Sequence, residues 1–449
     1  MQRPLAYIIT VGDELLRGDI VDTNSAFLAT RCRALGLELV RTVSVRDRIA
    51  EIAGAVCEAA THGATVCLLS GGLGPTTDDV TAVAVAQASG RAVALDPAAA
   101  QIVAAAFERF AAAADGAGLV GQRARTLATS PENQKQALLP TGSVALANSR
   151  GTAPGIWVSG AIGGMDVVCM PGVPGELRAM MIDEVEPRLR ERFDLTVSAR
   201  RIYRTLGRGE SQLAPAVERR VEAIREEARA GQRPAALADL VIRYRAAISE
   251  VRVTLEAERV TDAELATLDA AMIESLGAPL YGIGEDGLAP RVVDTLAARG
   301  LTIAVADSLG GRLITLLTAC PGASACLVGG LVPYADAVKV AQVGVSAATL
   351  AEHGAVSAEV AATMARAVRA SFHADLAVAI TGIAGPSGAR EGKPVGTVDV
   401  AVVDAAGEVT RRLALVGVRE EIQHVGALRA LKLLWDRLRD RGLAVVAAR

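Results

Sequence analysis

Aromatic side chains are scarce in this chain, 3% of 449 residues, so Ala and Val must carry the packing of its cores. Neither charge sign dominates: 47 Lys and Arg stand against 50 Asp and Glu, for a formal net charge of −3. That balance leaves no nucleic-acid footprint. The six cysteines (Cys32, Cys57, Cys67, Cys169, Cys320 and Cys326) form no C-x-x-C pair and lie mostly in apolar stretches. Buried free thiols in a reducing cytoplasm fit that pattern better than disulfides or zinc. The four histidines (His62, His353, His373 and His424) show no ligand spacing and read as helix-end or surface residues. The start, Met1-Gln2-Arg3-Pro4, leads at once into a strand, which is read as the absence of a signal peptide. One run without charge, Leu313 to Ala335, imitates a membrane span. Pro321-Gly322 and Gly329-Gly330 divide it into a short helix, a turn and a strand, so it reads as a buried αβ unit.

What the chain does have is apolar content, 51%, sufficient for two to four domains with real cores. Its most informative stretch is Ser70-Gly71-Gly72-Leu73-Gly74-Pro75-Thr76-Thr77-Asp78-Asp79. An apolar run, Thr65 to Leu69, precedes it and a helical pattern begins near Thr81. Glycines at Gly71, Gly72 and Gly74 let backbone N–H groups approach a ligand closely, and such a turn before a helix suits a phosphate or pyrophosphate. Asp78 and Asp79 could then hold a divalent cation against the phosphates. The other reading is a tight βα turn with an Asp N-cap. A second cluster, Gly12-Asp13-Glu14 through Gly18, follows the strand Leu5–Val11, and Asn24 looks like the start of the first long helix. Both clusters thus sit at carboxyl ends of predicted strands, where open α/β sheets bind ligands.

Residues 1–195 alternate strands (Leu5–Val11, Glu38–Val45, Thr65–Ser70, Val167–Met170) with helices (Asn24–Leu35, Ile49–Thr61, Thr81–Ser89, Pro97–Ala113). This rhythm argues a doubly wound α/β domain with a mostly parallel sheet. Residues 196–284 read as a small α+β module, with a charged helix near Gln212–Ala230 and one helix over Thr261–Leu276. Tyr281 to Gly287 is a turn-rich connection. Residues 285–449 alternate again, beginning with the helix Leu288–Arg299 and the strand Leu301–Ala306.

In that last block, Thr381 to Gly388 is a Gly/Pro-rich loop after a strand, including Gly382 and Gly385. Its N–H groups and the Thr381 hydroxyl could bind a phosphate or oxyanion, or it is an ordinary loop. Lys393 could pair with a phosphate or be solvated. Ser308 reads as an N-cap that becomes a nucleophile only with a base nearby.

At these residues the chain resembles the CinA family, the competence/damage-inducible proteins. The resemblance covers nearly the whole length. It rests on Gly12–Gly18, Asn24, Gly71–Asp79, Asn133-Gln134-Lys135-Gln136, Gly151-Thr152-Ala153-Pro154-Gly155 and Pro171-Gly172-Val173-Pro174-Gly175-Glu176. Farther on it rests on Gly207–Ser211, Tyr334, Lys339, Glu352–Ser357, Thr381–Pro386 and Lys393–Val398. It implies a molybdopterin-binding (MoaB/MogA-like) first domain with ADP-ribose pyrophosphatase activity, a KH-like module and a nicotinamide-mononucleotide (NMN) deamidase-like last domain. It implies a divalent metal (Mg, Mn or Co) at Asp13, Glu14, Asp78 and Asp79. Nucleotide contacts would come from Gly71, Gly72, Gly74, Asn24, Lys135, Thr381, Gly382, Gly385 and Lys393. Ser308 with Tyr334 and Lys339 would carry the deamidase. A cytoplasmic homodimer acting on ADP-ribose, and on NMN, is expected, with no nucleic-acid or membrane partner. The acids Glu210, Glu218, Glu222, Glu226 and Glu227 around the KH-like module argue against RNA.

One departure stands out. The family reads A-E-S-C-T-G-G, whereas this chain reads Ala306-Asp307-Ser308-Leu309-Gly310-Gly311, one residue shorter at the serine turn. The deamidase is therefore expected to be weak or absent. The rival reading for the whole chain is a non-catalytic pterin- or nucleotide-binding scaffold or sensor.

Overall fold

The computed structural model describes residues 3–113, 126, 130–193, 195 and 198–446. These form two compact units, Met1–Ser198 and Ala199–Arg449.

The first unit contains β1 (Leu5–Val11), β2 (Glu38–Val45), β3 (Val66–Ser70), β4 (Val93–Leu95), β5 (Leu138–Pro140), β6 (Val144–Leu146), β7 (Gly155–Ile162) and β8 (Met165–Met170). Six of them form one sheet in the order β2-β1-β3-β8-β7-β6. The first four are parallel, β7 runs antiparallel to β8, and β6 runs antiparallel to β7. Residues of β1 alternate between the two faces. Tyr7, Ile9 and Val11 pack with Ile52 and Val56, while Ala6 and Ile8 pack with Leu28 and Leu35. Burial on both faces explains why the central strands read as continuous apolar runs. Leu28 is fully buried, so truncating it to Ala should cost about 2–5 kcal/mol.

β6 and β7 are absent from the sequence reading. The register of the β7–β8 hairpin breaks between Val158 and Ile162, at Ser159-Gly160-Ala161, and the local glycines hide the alternation that marks a strand. The first long helix is Thr23–Leu35, capped by the Asp22 carboxylate accepting from Ser25 N at 2.9 Å, so Asn24 lies inside its first turn.

The second unit holds two sheets. One comprises β9 (Ser198–Leu206), β10 (Val241–Ala247), β11 (Glu250–Glu258) and β12 (Leu280–Ile283) in the order β10-β11-β9-β12, packed on the helix Glu210–Arg229. The helix expected over Thr261–Leu276 is two, Asp262–Ala266 and Asp269–Leu276. The other sheet comprises β13 (Ile303–Asp307), β14 (Leu327–Leu331), β15 (Leu376–Gly382), β16 (Thr397–Asp404) and β17 (Gly407–Ala414) in the order β14-β13-β15-β16-β17. Helices Leu288–Ala298 and Arg419–Asp440 cover one face and Ala358–Ser371 the other. The uncharged run resolves, as read, into a short helix, a turn and β14. Among the described residues no helix is long and apolar enough to cross a membrane.

The connection Tyr281–Gly287 has a linker's composition but not a linker's freedom. Arg291, 2% exposed, donates to Ile283 O and to Asp286 O. Arg204 donates to Gly284 O and Glu285 O. Tyr281 and Leu206 pack into the core built on the five-stranded sheet.

Candidate functional site

β1 and β3 lie side by side, although the chain runs from β1 to β2 on the other flank. Their carboxyl ends are therefore a switch point, the place where open α/β sheets bind ligands. The turns that follow them line one cleft of about 370 Å³, bordered by Pro171–Val173 after β8. Gly71 and Gly72 take φ values of 109° and 67°, which favour glycine. A Cβ at Gly71 would overlap the Val11 carbonyl, and one at Gly72 the Thr81 hydroxyl. The turn is tied down by Thr81, which donates from N to Gly72 O at 3.1 Å and from Oγ1 to Gly71 O at 2.9 Å. The Gly71 N–H is committed to Met170 O. Those of Gly72, Leu73 and Gly74 have no partner among the described residues, so three donors of the predicted cradle stay available to an anion.

The structure brings Glu14, Asp78 and Asp79 to the cleft and adds Asp47 and Glu176. Asp13 and Asp47 brace each other: Asp13 N–H donates to Asp47 Oδ2 at 2.9 Å, and Asp47 N–H to Asp13 Oδ1 at 3.4 Å. Asp13 also pairs with Arg17 at 2.9 Å. Burial pushes the Asp47 carboxyl up, and the charges of Glu14, Asp13 and Asp78 push it further, against the pull of the Asp13 N–H. Asp78 is held below the usual carboxylate range by the Thr76 hydroxyl and by backbone hydrogen bonding, with Lys135 adding to this. Asp79 is not the cap of the next helix, whose N-cap position is Val80. Its Oδ2 accepts from Thr76 N at 2.8 Å and lies 2.6 Å from Thr76 Oγ1, closing the 76–79 turn. Lys135 donates to Thr76 O and so stands beside the acidic turn. Asn24 donates to Ser70 Oγ at 2.9 Å and Gly172 O at 2.7 Å, and its Oδ1 is buried with no partner among the described residues.

Among the described residues no three His, Cys, Asp or Glu side chains stand together as a ready ligand set. The donor chemistry of the cleft nonetheless fits a hard divalent cation, because all its acids are carboxylates.

In the second unit the expected residues are placed differently from the sequence reading. Ser308 is not a helix cap: the helix begins at Arg312 with Gly311 at its N-cap. The capping work falls to Asp307. Its Oδ1 accepts from Leu309 N at 3.0 Å and Gly310 N at 3.1 Å, and its Oδ2 from Leu313 N at 2.8 Å. Lys339 is buried and its ammonium donates to Tyr334 O at 3.0 Å and Asp336 Oδ1 at 3.1 Å. Tyr334 is exposed, and its hydroxyl accepts from Arg419 at 2.7 Å. No hydrogen bond joins Ser308 to Lys339 or Tyr334 among the described residues. Lys393 is neither solvated nor free for a phosphate: it donates to His353 O and Val356 O, both at 2.6 Å. The Thr381 hydroxyl donates to Ala355 O at 2.8 Å. Gly382 ends β15, and Gly385 O accepts from Arg419 at 2.7 Å.

A family model described as "Probable molybdopterin binding domain" matches residues 7–191, and one described as "CinA C-terminal domain" matches residues 285–438. A CinA-like protein of Gemmatimonas aurantiaca is 41% identical over 440 residues, covering 96% of this chain and 95% of its own length. This chain belongs to the CinA-like family. A CinA-like protein of Frankia casuarinae is 38% identical over 434 residues, covering 96% of this chain and 95% of its own. Among solved structures, competence/damage inducible protein CihA from Agrobacterium tumefaciens is 35% identical, covers 33% of this chain and 91% of its own, and has a TM-score of 0.32.

Two residues of this CinA-like cleft escaped the sequence reading. Asp47 lies just after β2, so the rule that singled out Asp13 and Asp78, an acid past the carboxyl end of a strand, also applies to it. Glu176 was visible in its motif but had no partner there. In the fold its Oε2 accepts from Asn148 Nδ2 at 2.8 Å. Asn148 in turn holds the 148–153 loop, through Gly151 N at 2.8 Å and Ala153 O at 2.8 Å.

Proposed function

We propose that the first unit of this CinA-like protein hydrolyses the diphosphate of ADP-ribose or a related nucleotide with the help of a divalent cation. The observation that carries the reading is the pairing, across one cleft, of three unpartnered N–H groups (Gly72, Leu73, Gly74) with a set of carboxylates. The N–H groups would hold phosphate oxygens. Glu14, Asp78 and Asp79, with Asp13 bracing the rim, are the candidates to hold the cation. A bound divalent cation supplies charge neutralisation at the diphosphate and a lowered pKa for a bound water. Water's oxygen bonds to one phosphorus, the bridging P–O bond breaks, and ADP-ribose yields AMP and ribose 5-phosphate. Asp47 Oδ1, which no backbone group engages, is the atom assigned to take the water's proton, and its raised pKa suits that role.

The test is AMP formation from ADP-ribose by wild type, Asp13→Ala and Asp79→Ala, with and without chelator. Loss by orders of magnitude in a folded Asp79→Ala protein supports the reading. Equal rates in chelator refute the metal, and tight binding without turnover favours the sensor.

We further propose that NMN deamidation in the last domain is weak. Asp307 occupies the Leu309 and Gly310 N–H groups, which an oxyanion would need, and losing one such donor costs about 100- to 1,000-fold. Replacing Leu309 by Cys-Thr together with Asp307→Glu should raise ammonia release from NMN. Robust natural release that disappears in Ser308→Ala would overturn this.

A further inference from the structure

One carboxylate of the cleft, Glu176, is held by a relay of hydrogen bonds that leads out of the cleft. Glu176 is half-buried in the first turn of the helix Pro174–Met180. Its Oε2 accepts from Asn148 Nδ2 at 2.8 Å, and its Oε1 accepts nothing among the described residues. Asn148, 2% exposed, uses its whole amide. Nδ2 also donates to Ala153 O at 2.8 Å, and Oδ1 accepts from Arg150 N at 3.1 Å and Gly151 N at 2.8 Å. Gly151 lies flush against the carboxylate, since a Cβ there would overlap both Glu176 oxygens.

The relay does not end at Asn148. Arg109, an exposed residue of the helix Pro97–Ala113, donates from Nη2 to Asn148 O at 2.8 Å and to Gly151 O at 3.3 Å. No other group among the described residues donates to either carbonyl. The arginine thus grips two residues: the one whose amide holds Glu176, and the one whose backbone stops against it. Hydrogen bonds from a charged donor are about twice as strong as neutral ones, so the grip is firm for a surface residue. Fixing Oε2 leaves Oε1 at a defined place on a side chain that lines the cleft, where a hard cation takes oxygen ligands. Groups behind a ligand set its orientation, and losing one typically costs about 10- to 100-fold in metal affinity.

We propose that Glu176 offers Oε1 to the cation of this cleft and that Arg109 is its positioning residue, acting through Asn148 and Gly151. The proposal rests on the cation-assisted reading of the first unit for its metal, but it is tested on cation binding without nucleotide. The alternative is that Glu176 only favours the start of its helix, as an acid in the first turn does, and that Arg109 only ties down a loop.

The experiment is calorimetric titration of the full chain with manganese(II) chloride, for wild type, Glu176→Gln, Arg109→Met and the double variant, with the melting temperature of each. Glu176→Gln keeps an acceptor for Asn148 and removes the charge. It should bind Mn²⁺ about tenfold or more weakly, with little change in melting temperature. Arg109→Met keeps the stem and drops the donors, and should weaken Mn²⁺ by about tenfold. Because Arg109 acts through Glu176, the double variant should bind no more weakly than Glu176→Gln. Arg109→Lys, which restores one donor, should recover part of the affinity, and it carries the same cycle if Arg109→Met does not fold. Additive losses in the double variant, a Glu176→Gln protein that binds Mn²⁺ as wild type does, or a wild type that takes up no Mn²⁺ would each overturn the proposal. So would an Arg109→Met protein that melts lower yet keeps its Mn²⁺ affinity. Coupled losses in a protein that does not hydrolyse ADP-ribose would keep the relay and remove the diphosphatase. Metal-dependent hydrolysis with additive losses would do the reverse.

Discussion

Replacing Asp307 tests how the shortened serine turn is held. Its carboxylate is 1% exposed and accepts three N–H groups at 2.8–3.1 Å. In Asp307→Ala the N–H groups of Leu309 and Leu313 are left buried without an acceptor, while that of exposed Gly310 turns to water. An unmet buried donor costs about 1–3 kcal/mol, so two cost roughly 2–6 kcal/mol. Relief from burying one carboxylate offsets part of this, and about 3 kcal/mol is the expected net loss. Asp307→Asn keeps an acceptor for Leu309 and Gly310 but turns an NH₂ toward Leu313 N–H, so it should lose less, about 2 kcal/mol. At roughly 2–4 °C per kcal/mol for a unit of this size, Asp307→Ala should melt about 6–12 °C below wild type. Calorimetry of the full chain, following the transition of the second unit, measures this. Melting of Asp307→Ala within about 2 °C of wild type would refute the assignment of Asp307 as the group that holds the turn.

Further outcomes are expected elsewhere. Burial raises the Asp404 carboxyl, but hydrogen bonds from Arg437, Arg441 and Ala406 N outweigh it and hold it at about 2. Because the folded value lies below the unfolded one, the stability it contributes, about 2 kcal/mol, is present above about pH 4 and lost as pH falls toward 2. Urea titrations at pH 5, 3 and 2 should show that loss in wild type and little of it in Asp404→Asn. Gly151→Ala would drive a methyl into the Glu176 carboxylate, separating it from Asn148. ADP-ribose turnover should fall more than tenfold with a stability loss of about 1–2 kcal/mol, and an unchanged rate would exclude Glu176 from the working cleft. Lys432 is buried and donates to Ala278 O at 2.9 Å, across the Tyr281–Gly287 connection. Fragment 199–449 should therefore be soluble and 288–449 should not. Preferential proteolytic cutting at 282–287 in the intact chain would contradict the hold of Arg204 and Arg291 on that segment.

Several features were legible from residues alone because they depend on local chemistry. Leu5–Val11 reads as a strand since both its faces are apolar. Gly71 and Gly72 announce a turn only glycine can make, and the acids at 13–14 and 78–79 mark the ends of two strands. The same local logic misled at Ser308, where a serine before Gly-Gly looks like a cap. Which side chain caps depends on the path of the next eight residues, and that path gives the role to Asp307. It also misled at Lys393, whose two carbonyl partners lie about 40 positions away in sequence.

By itself, then, the sequence determined the central parallel strands with the helices between them, the glycine turn and the acids beside it, because periodicity and backbone sterics act over a few neighbours. Only the tertiary structure decided which strand ends become adjacent. That adjacency brings Asp47 and Glu176 to the glycine turn and commits Gly71 N–H to Met170. Strand order and the partner of a buried polar group are set by contacts between distant segments, and no window of sequence contains them.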